Sequence, residues 1–246
     1  MRVAPVPAIA TVVAILGWTG CGSSTSGPSQ RADPWPTSYA EILTASVTDP
    51  PNDLVKAPYD APPYSTPVSY PAVDVTRVSF GMQGKYLYLR VDFAGVLPKA
   101  VVSIPRTGDI EPQTVSRQGF NLSVDTDNND LTGAGGEGIA GIDIFYAMGL
   151  NYGDRTSAYA NYDFPPPGDP HYGDVHYNRG HLEGEVGEGG PGSSYLILRF
   201  DTSSLGGFVP RGTTVEVGGW SEAESSLYHH FAFDPLAHAT WFIQPN

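Results

Sequence analysis

Hydrophobic and polar positions alternate along much of this chain with a period of two, the mark of strands with one buried face. The clearest run is YLYLRVDF, Tyr86 to Phe93: Leu87, Leu89, Val91 and Phe93 point one way, and Tyr86, Tyr88, Arg90 and Asp92 the other. VTRVSF stands before it and GMQGK between, which predicts a hairpin with a glycine-bearing turn. FNLSVD (Phe120 to Asp125) sets Phe120, Leu122 and Val124 on one face. IDIFYAM, SAYANYDF, SYLILRFD, TTVEVGGW and LYHHFAF read as further strands, and EILTASV as a first strand or a short helix. Gly, Pro, Asn and Asp bound these runs, and no long amphipathic helix is visible. The expected fold is therefore an all-β, antiparallel sandwich of jelly-roll or immunoglobulin-like form.

Two stretches break the alternation. Thr48 to Pro71 is dense in proline, which a central strand does not tolerate. Pro165 to Gly192 is polar and glycine-rich, and reads as a long loop over one end of the sandwich. Composition agrees with many turns: 29 Gly and 23 Pro in 246 residues. The formal net charge of -13 argues against a nucleic-acid partner, because phosphate binding needs a basic stripe.

The start of the chain is of a different kind. Arg2 is followed by the apolar stretch Ala8 to Leu16, too short to span a bilayer at about 20 residues per helix. WTGC then ends on Cys21, the only cysteine, so no internal disulfide can form. This segment resembles a bacterial lipoprotein signal, in which a small residue precedes a cysteine that is lipidated and becomes the new N-terminus. Thr19 and Gly20 fit that pattern, while Trp18 stands where the family prefers Leu. The resemblance implies a signal peptide over 1–20, a flexible polar tether over 21–37, and one sandwich domain over 38–246. It places the domain at the bacterial cell envelope, outside the cytoplasm, held to a membrane by the lipid on Cys21.

The chain has few charges, 16% of its residues, yet it gathers acids in VDTDNNDLTGAGGEGIAGIDIF. Asp125, Asp127 and Asn129 offer oxygens at alternate positions just after a strand, with Asp130 beside them and Asp143 on the next strand. Glu137 is a further candidate. A hard cation such as Ca²⁺ takes six to eight oxygens at about 2.3–2.6 Å. An EF-hand would also need Gly and Glu at its sixth and twelfth positions, which here are Asp130 and Gly136. The alternative is a plain turn, since Asp and Asn make Asx-turns without any metal.

Residues 73 to 148 carry a second resemblance. VDVTRVSFGMQGKYLYLRVDFAG followed by FNLSVDTDNNDLTG and GIDIF is similar to secreted β-sandwich domains related to carbohydrate-binding module family 9 and the DOMON group. The resemblance implies a sandwich, with glycan binding through facing tryptophans in some relatives and haem binding through Met or His in others. Trp35, Trp220 and Trp241 do not match that clamp, and Met82 and Met148 have no evident histidine partner.

Other residues invite chemistry. His171, His176 and His181 recur every five residues, a spacing that suits neither a strand face nor a helix face. In EVGGWSEAESSLYHHFAFDP, Glu222 and Glu224 share a parity. If LYHHFAF is a strand, Tyr228, His230 and Asp234 share a face, which makes a His–carboxylate couple conceivable. Asp201 is a candidate cation ligand or turn residue. Nucleophile elbows, zinc-protease helices, phosphate loops and dinucleotide fingerprints are absent. The expected function is a non-catalytic binding module for a glycan or another extracellular ligand, with structural Ca²⁺. A structural or interaction protein of the envelope is the alternative, and a hydrolase using carboxylates near Glu222 or Asp234 comes third.

Overall fold

A computed structural model describes residues 34–55, 68–125, 128–129, 141–142, 144–152, 157–163, 176–180, 183–190, 192–201, 214–228 and 230–243. Cys21 and the segment expected to be a signal peptide, 1–20, lie outside these residues, as does most of the expected tether. Residues Ser38–Asn246 cluster as one unit. No helix among the described residues is long and apolar enough to cross a membrane.

Every pairing between named strands is antiparallel, in two sheets. The first holds β1 (Ala45–Thr48), β2 (Val75–Gln83), β3 (Tyr86–Phe93), β10 (Ser193–Asp201) and β9 (Glu183–Gly190), in the order β1-β2-β3-β10-β9. The second runs β12 (Ala232–Phe242), β11 (Thr214–Ser225), β5 (Gln113–Asp125), β6 (Ile144–Asn151), β7 (Ser157–Asp163), β8 (His176–Gly180). β4 (Val102–Ile104) pairs with the start of β5. The expected sandwich is the observed architecture.

Alternation explains the core. Val78 and Phe80 of β2, Leu87, Leu89, Val91 and Phe93 of β3, and Leu196 and Leu198 of β10 face Phe120, Leu122 and Val124 of β5. Val215, Val217, Leu236 and Trp241 close the same cluster. Trp241 stacks on Phe80 at 5.3 Å between ring centroids, so this tryptophan belongs to the core and not to a ligand clamp.

The β2–β3 hairpin is tighter than the sequence suggests. β2 continues through Gly81 and Met82 to Gln83, which pairs with Tyr86. The turn is then Gly84–Lys85 alone, with Gly84 in the left-handed region at φ 58°. Three further expectations change. EILTASV is neither all strand nor helix: Ile42 and Leu43 both donate to the Tyr39 carbonyl in a turn, and β1 begins at Ala45. Tyr88 is not a solvent-facing neighbour of Leu87 and Leu89 but is 2% exposed, with the Tyr39 ring 6.0 Å away. The stretch Pro165 to Gly192 is not one loop, because it holds β8 and β9, the outermost strands of the two sheets. An edge strand needs only one ladder, so glycine and glutamate can fill it without an apolar signature. Between Thr48 and Pro71, the described residues form no strand beyond the single bridge Val55–Phe233.

Candidate metal centre

DPPND follows β1 directly, and its prolines end the strand. Asp49 keeps one more bond to the sheet, donating its N–H to the Thr76 carbonyl at 3.0 Å. Asn52 then turns the chain in the left-handed region, φ 66°, which Asn tolerates better than most residues. That turn aims its N–H at Asp74 Oδ2, 2.8 Å away. Beyond it, Val55 donates to the Phe233 carbonyl at 3.0 Å and fixes the segment against β12.

The result is a meeting of carboxylates from distant parts of the chain. Oxygens of Asp49, Asp53 and Asp234 all lie within 4.8 Å of one another, in a group that could hold a metal ion. Asp234 comes from β12, paired with Ser221 and turned inward; both are 0% exposed. Its Oδ2 accepts the Val75 N–H at 2.6 Å. That bond crosses from the seven-stranded sheet to the start of β2. Asp74, one residue before β2, is 1% exposed. Asp53 Oδ1, Asp74 Oδ1 and Asp234 Oδ1 are buried and accept no hydrogen bond from the described residues.

The electrostatics follow from this crowding. Burial pushes the Asp234 carboxyl up to about 8; the Val75 N–H opposes the rise, and the charges of Asp49, Asp53 and Asp74 add to it. Asp74 is raised by burial as well, with the Asn52 N–H opposing and the Asp53 charge adding. Two unit charges about 4 Å apart at an effective dielectric constant of about 20 repel by about 4 kcal/mol. A bound cation would attract each of these carboxylates and favour their charged forms. The donors are all oxygens, and no histidine or cysteine among the described residues joins the group, which favours a hard ion over zinc or copper. A cavity of about 10 Å³, lined by Asp49, Val47 and Phe80 among others, lies alongside. Its volume admits a water molecule and nothing larger.

Of the acidic-loop residues, Asp125 ends β5 with 0% exposure, and its Oδ1 accepts the N–H of Asn128, three residues on, at 2.7 Å, a local side-chain-to-backbone bond. Asn129 is exposed. A Cβ on Gly141 would lie 2.7 Å from the Asn129 carbonyl oxygen and 3.0 Å from Asp125 Oδ2, so the returning chain passes close to both. Asp127, Asp130, Asp143 and Glu137 lie outside the described residues. His171 and His181 do too, while His176 opens β8 opposite Asp163. Asp201 ends β10 opposite Tyr86.

His230 does not pair with Asp234. LYHHFAF is not a continuous strand, because Ser225 and Tyr228 close a turn through the Ser225 N–H to Tyr228 carbonyl bond (2.8 Å), and β12 starts only at Ala232. His230 Nδ1 instead comes within 2.6 Å of Glu222 Oε2. Glu222 also accepts Trp220 Nε1–H at 3.1 Å and Asn121 Nδ2–H at 3.2 Å. Phe233, opposite Glu222 in the ladder, sits 6.2 Å from the Trp220 ring. These side chains lie on the outer face of the seven-stranded sheet, where Gly119 leaves room for the Glu222 carboxylate.

Fold and carboxylates together define an all-β sandwich with a group of buried acids that could hold a metal ion. No protein-family model and no curated protein sequence matches the chain.

Proposed function

We propose that this protein is a cell-envelope lipoprotein whose sandwich is a non-catalytic binding module for a glycan or another extracellular ligand, with calcium as a structural ion. The observation that carries the reading is the group on the outer face of the seven-stranded sheet. There a half-buried indole, Trp220, stands beside a carboxylate and an amide held in fixed positions. Sugar rings stack on aromatic faces and are oriented by a few fixed polar groups. Glu222 is already engaged by Trp220, Asn121 and His230, which suits an orienting acceptor better than an acid that must shuttle protons. Asp234 is sealed inside the sandwich, out of reach of a polymer. Both facts weigh against a hydrolase.

Retention of the purified protein on a panel of insoluble polysaccharides tests the reading. Wild type should be held by at least one polymer without releasing soluble sugar. Trp220→Ala should elute early while melting within a few degrees of wild type. A folded wild type that no polymer retains would leave an envelope interaction protein as the better reading. Release of sugar would restore the hydrolase.

A further inference from the structure

We propose that Asp49, Asp53 and Asp234 together bind one hard divalent cation of calcium's size, fastening the β1–β2 edge of one sheet to β12 of the other. The inference rests on the reading of the module as calcium-holding, and is independent of whether the ligand is a glycan.

The spacing suits such an ion. A cation about 2.3–2.6 Å from each ligand holds oxygens at most about 4.6–5.2 Å apart. The oxygens of Asp49, Asp53 and Asp234 lie within 4.8 Å of one another, inside that limit. Magnesium, at about 2.0–2.1 Å, demands a strict octahedron and gives up its water reluctantly.

Asp74 adds a buried acid from outside that trio. It is 1% exposed, and one of its oxygens accepts no hydrogen bond. It stands next to the trio: its Oδ2 accepts the N–H of Asn52, the neighbour of Asp53, and Val75, its own neighbour, donates to Asp234. Buried carboxylates are ordinarily satisfied by cationic side chains or by several donors. Here Asp74 and Asp234 each accept a backbone N–H on Oδ2, from Asn52 and Val75, and Oδ1 of each is left for another partner.

The topology gives the ion two elements to join. β1 and β12 are the edge strands of different sheets. Val55, in the segment after β1, donates to the Phe233 carbonyl, and Val75, at the start of β2, donates to Asp234, so two bonds to β12 already stand here. An ion coordinated from both sides would add a further link at this point.

The experiment is calcium titration of chelated full-length protein, followed by calorimetry and by thermal melting. Wild type should gain one equivalent of bound calcium at this site and melt about 5–10 °C higher at about a hundredfold excess over Kd. Magnesium should restore less. Asp53→Asn, at a half-buried position, should weaken binding at least about tenfold and lose most of the melting shift. Asp234→Asn keeps an acceptor for Val75 but removes a buried charge. It should be no less stable than chelated wild type, yet indifferent to calcium. Should Asp234→Asn fail to fold, Asp53→Asn and Asp49→Asn carry the test. If Asp125→Asn abolishes the response while Asp53→Asn and Asp234→Asn keep it, the ion sits in the acidic loop. The present inference then falls and the calcium reading stands. A wild type indifferent to both chelator and calcium would overturn both.

Discussion

Gly81 is the position at which a single methyl group should do most damage for its size. It lies in β2 with its missing side chain directed at the Tyr39–Leu43 turn. A Cβ there would overlap the carbonyl oxygen and carbon of Ile42 and lie 3.0 Å from Leu43 Cα. All three are backbone atoms, so no rotamer change relieves the overlap. Gly81→Ala therefore leaves two outcomes. The turn can stay docked under strain; overpacking by ordinary methyl groups costs about 1–3 kcal/mol, and this overlap is with rigid backbone. Alternatively the turn lifts off. Ile42, 5% exposed, then loses burial worth about 1.5–3 kcal/mol. The Tyr39–Tyr88 ring contact is lost too, about 0.5–1.5 kcal/mol more. The expected loss is about 2–4 kcal/mol, or about 4–16 °C in Tm for a domain of this size. Urea unfolding followed by tryptophan fluorescence measures it, and limited proteolysis shows whether cleavage near residues 38–44 accelerates. Gly84→Asn is the control. Gly84 has φ 58°, a Cβ there would meet no atom within 4 Å, and Asn accepts that backbone. Equal urea midpoints for Gly81→Ala, Gly84→Asn and wild type would show that the turn is not docked on β2.

Three other predictions use independent parts of the chain. Labelled palmitate should enter the protein in a bacterial host and be absent from Cys21→Ser; an unlabelled wild type would remove the lipid anchor from the proposed function. Leu89, fully buried in the larger core, should cost about 2–5 kcal/mol as Leu89→Ala, read as a lower urea midpoint at constant slope; a loss under about 1 kcal/mol would contradict the packing. Burial raises the Tyr70 phenol above its usual 10, with the Tyr152 side chain opposing. The unfolded chain therefore releases that proton first, and stability should fall as pH rises past about 10. Tyr70→Phe should show a shallower fall between about pH 9 and pH 11, and identical slopes would refute the assignment.

Local alternation is sufficient to read the strands that bury one face. Leu87, Leu89, Val91 and Phe93 point into the core as their spacing requires, and so do Phe120, Leu122 and Val124. Period-two burial is a property of each strand by itself, so the sequence reports it directly. Edge strands carry no such obligation, which is why β8 and β9 are hidden among glycine, glutamate and proline. Tyr88 escapes the local rule for a related reason: its cover comes from Tyr39, in a turn whose docking no local pattern announces.

The carboxylate group is beyond local reasoning in a stronger sense. Acids in DTDNND draw the eye because they are neighbours in sequence, and Asp125 accepts the Asn128 N–H within that same loop. Asp49, Asp53 and Asp234 are brought together by the meeting of the two sheets, with the buried Asp74 at the start of β2, and β12 arrives only after the rest of the sandwich is laid down in the chain. A trace of them is legible. Asp74 sits between Val73 and Val75, and Asp234 between Phe233 and Pro235 in an otherwise apolar run. A charge at such a place is costly to bury alone, so it signals a partner without naming it. His230 shows the same division: composition places a histidine near acids, and the turn at Ser225–Tyr228 chooses Glu222 over Asp234. Sequence thus determined which apolar strand faces must be buried, because those faces are set by side-chain chemistry and strand period. Only the tertiary structure decided which buried groups meet, because that depends on how distant strands are ordered and registered.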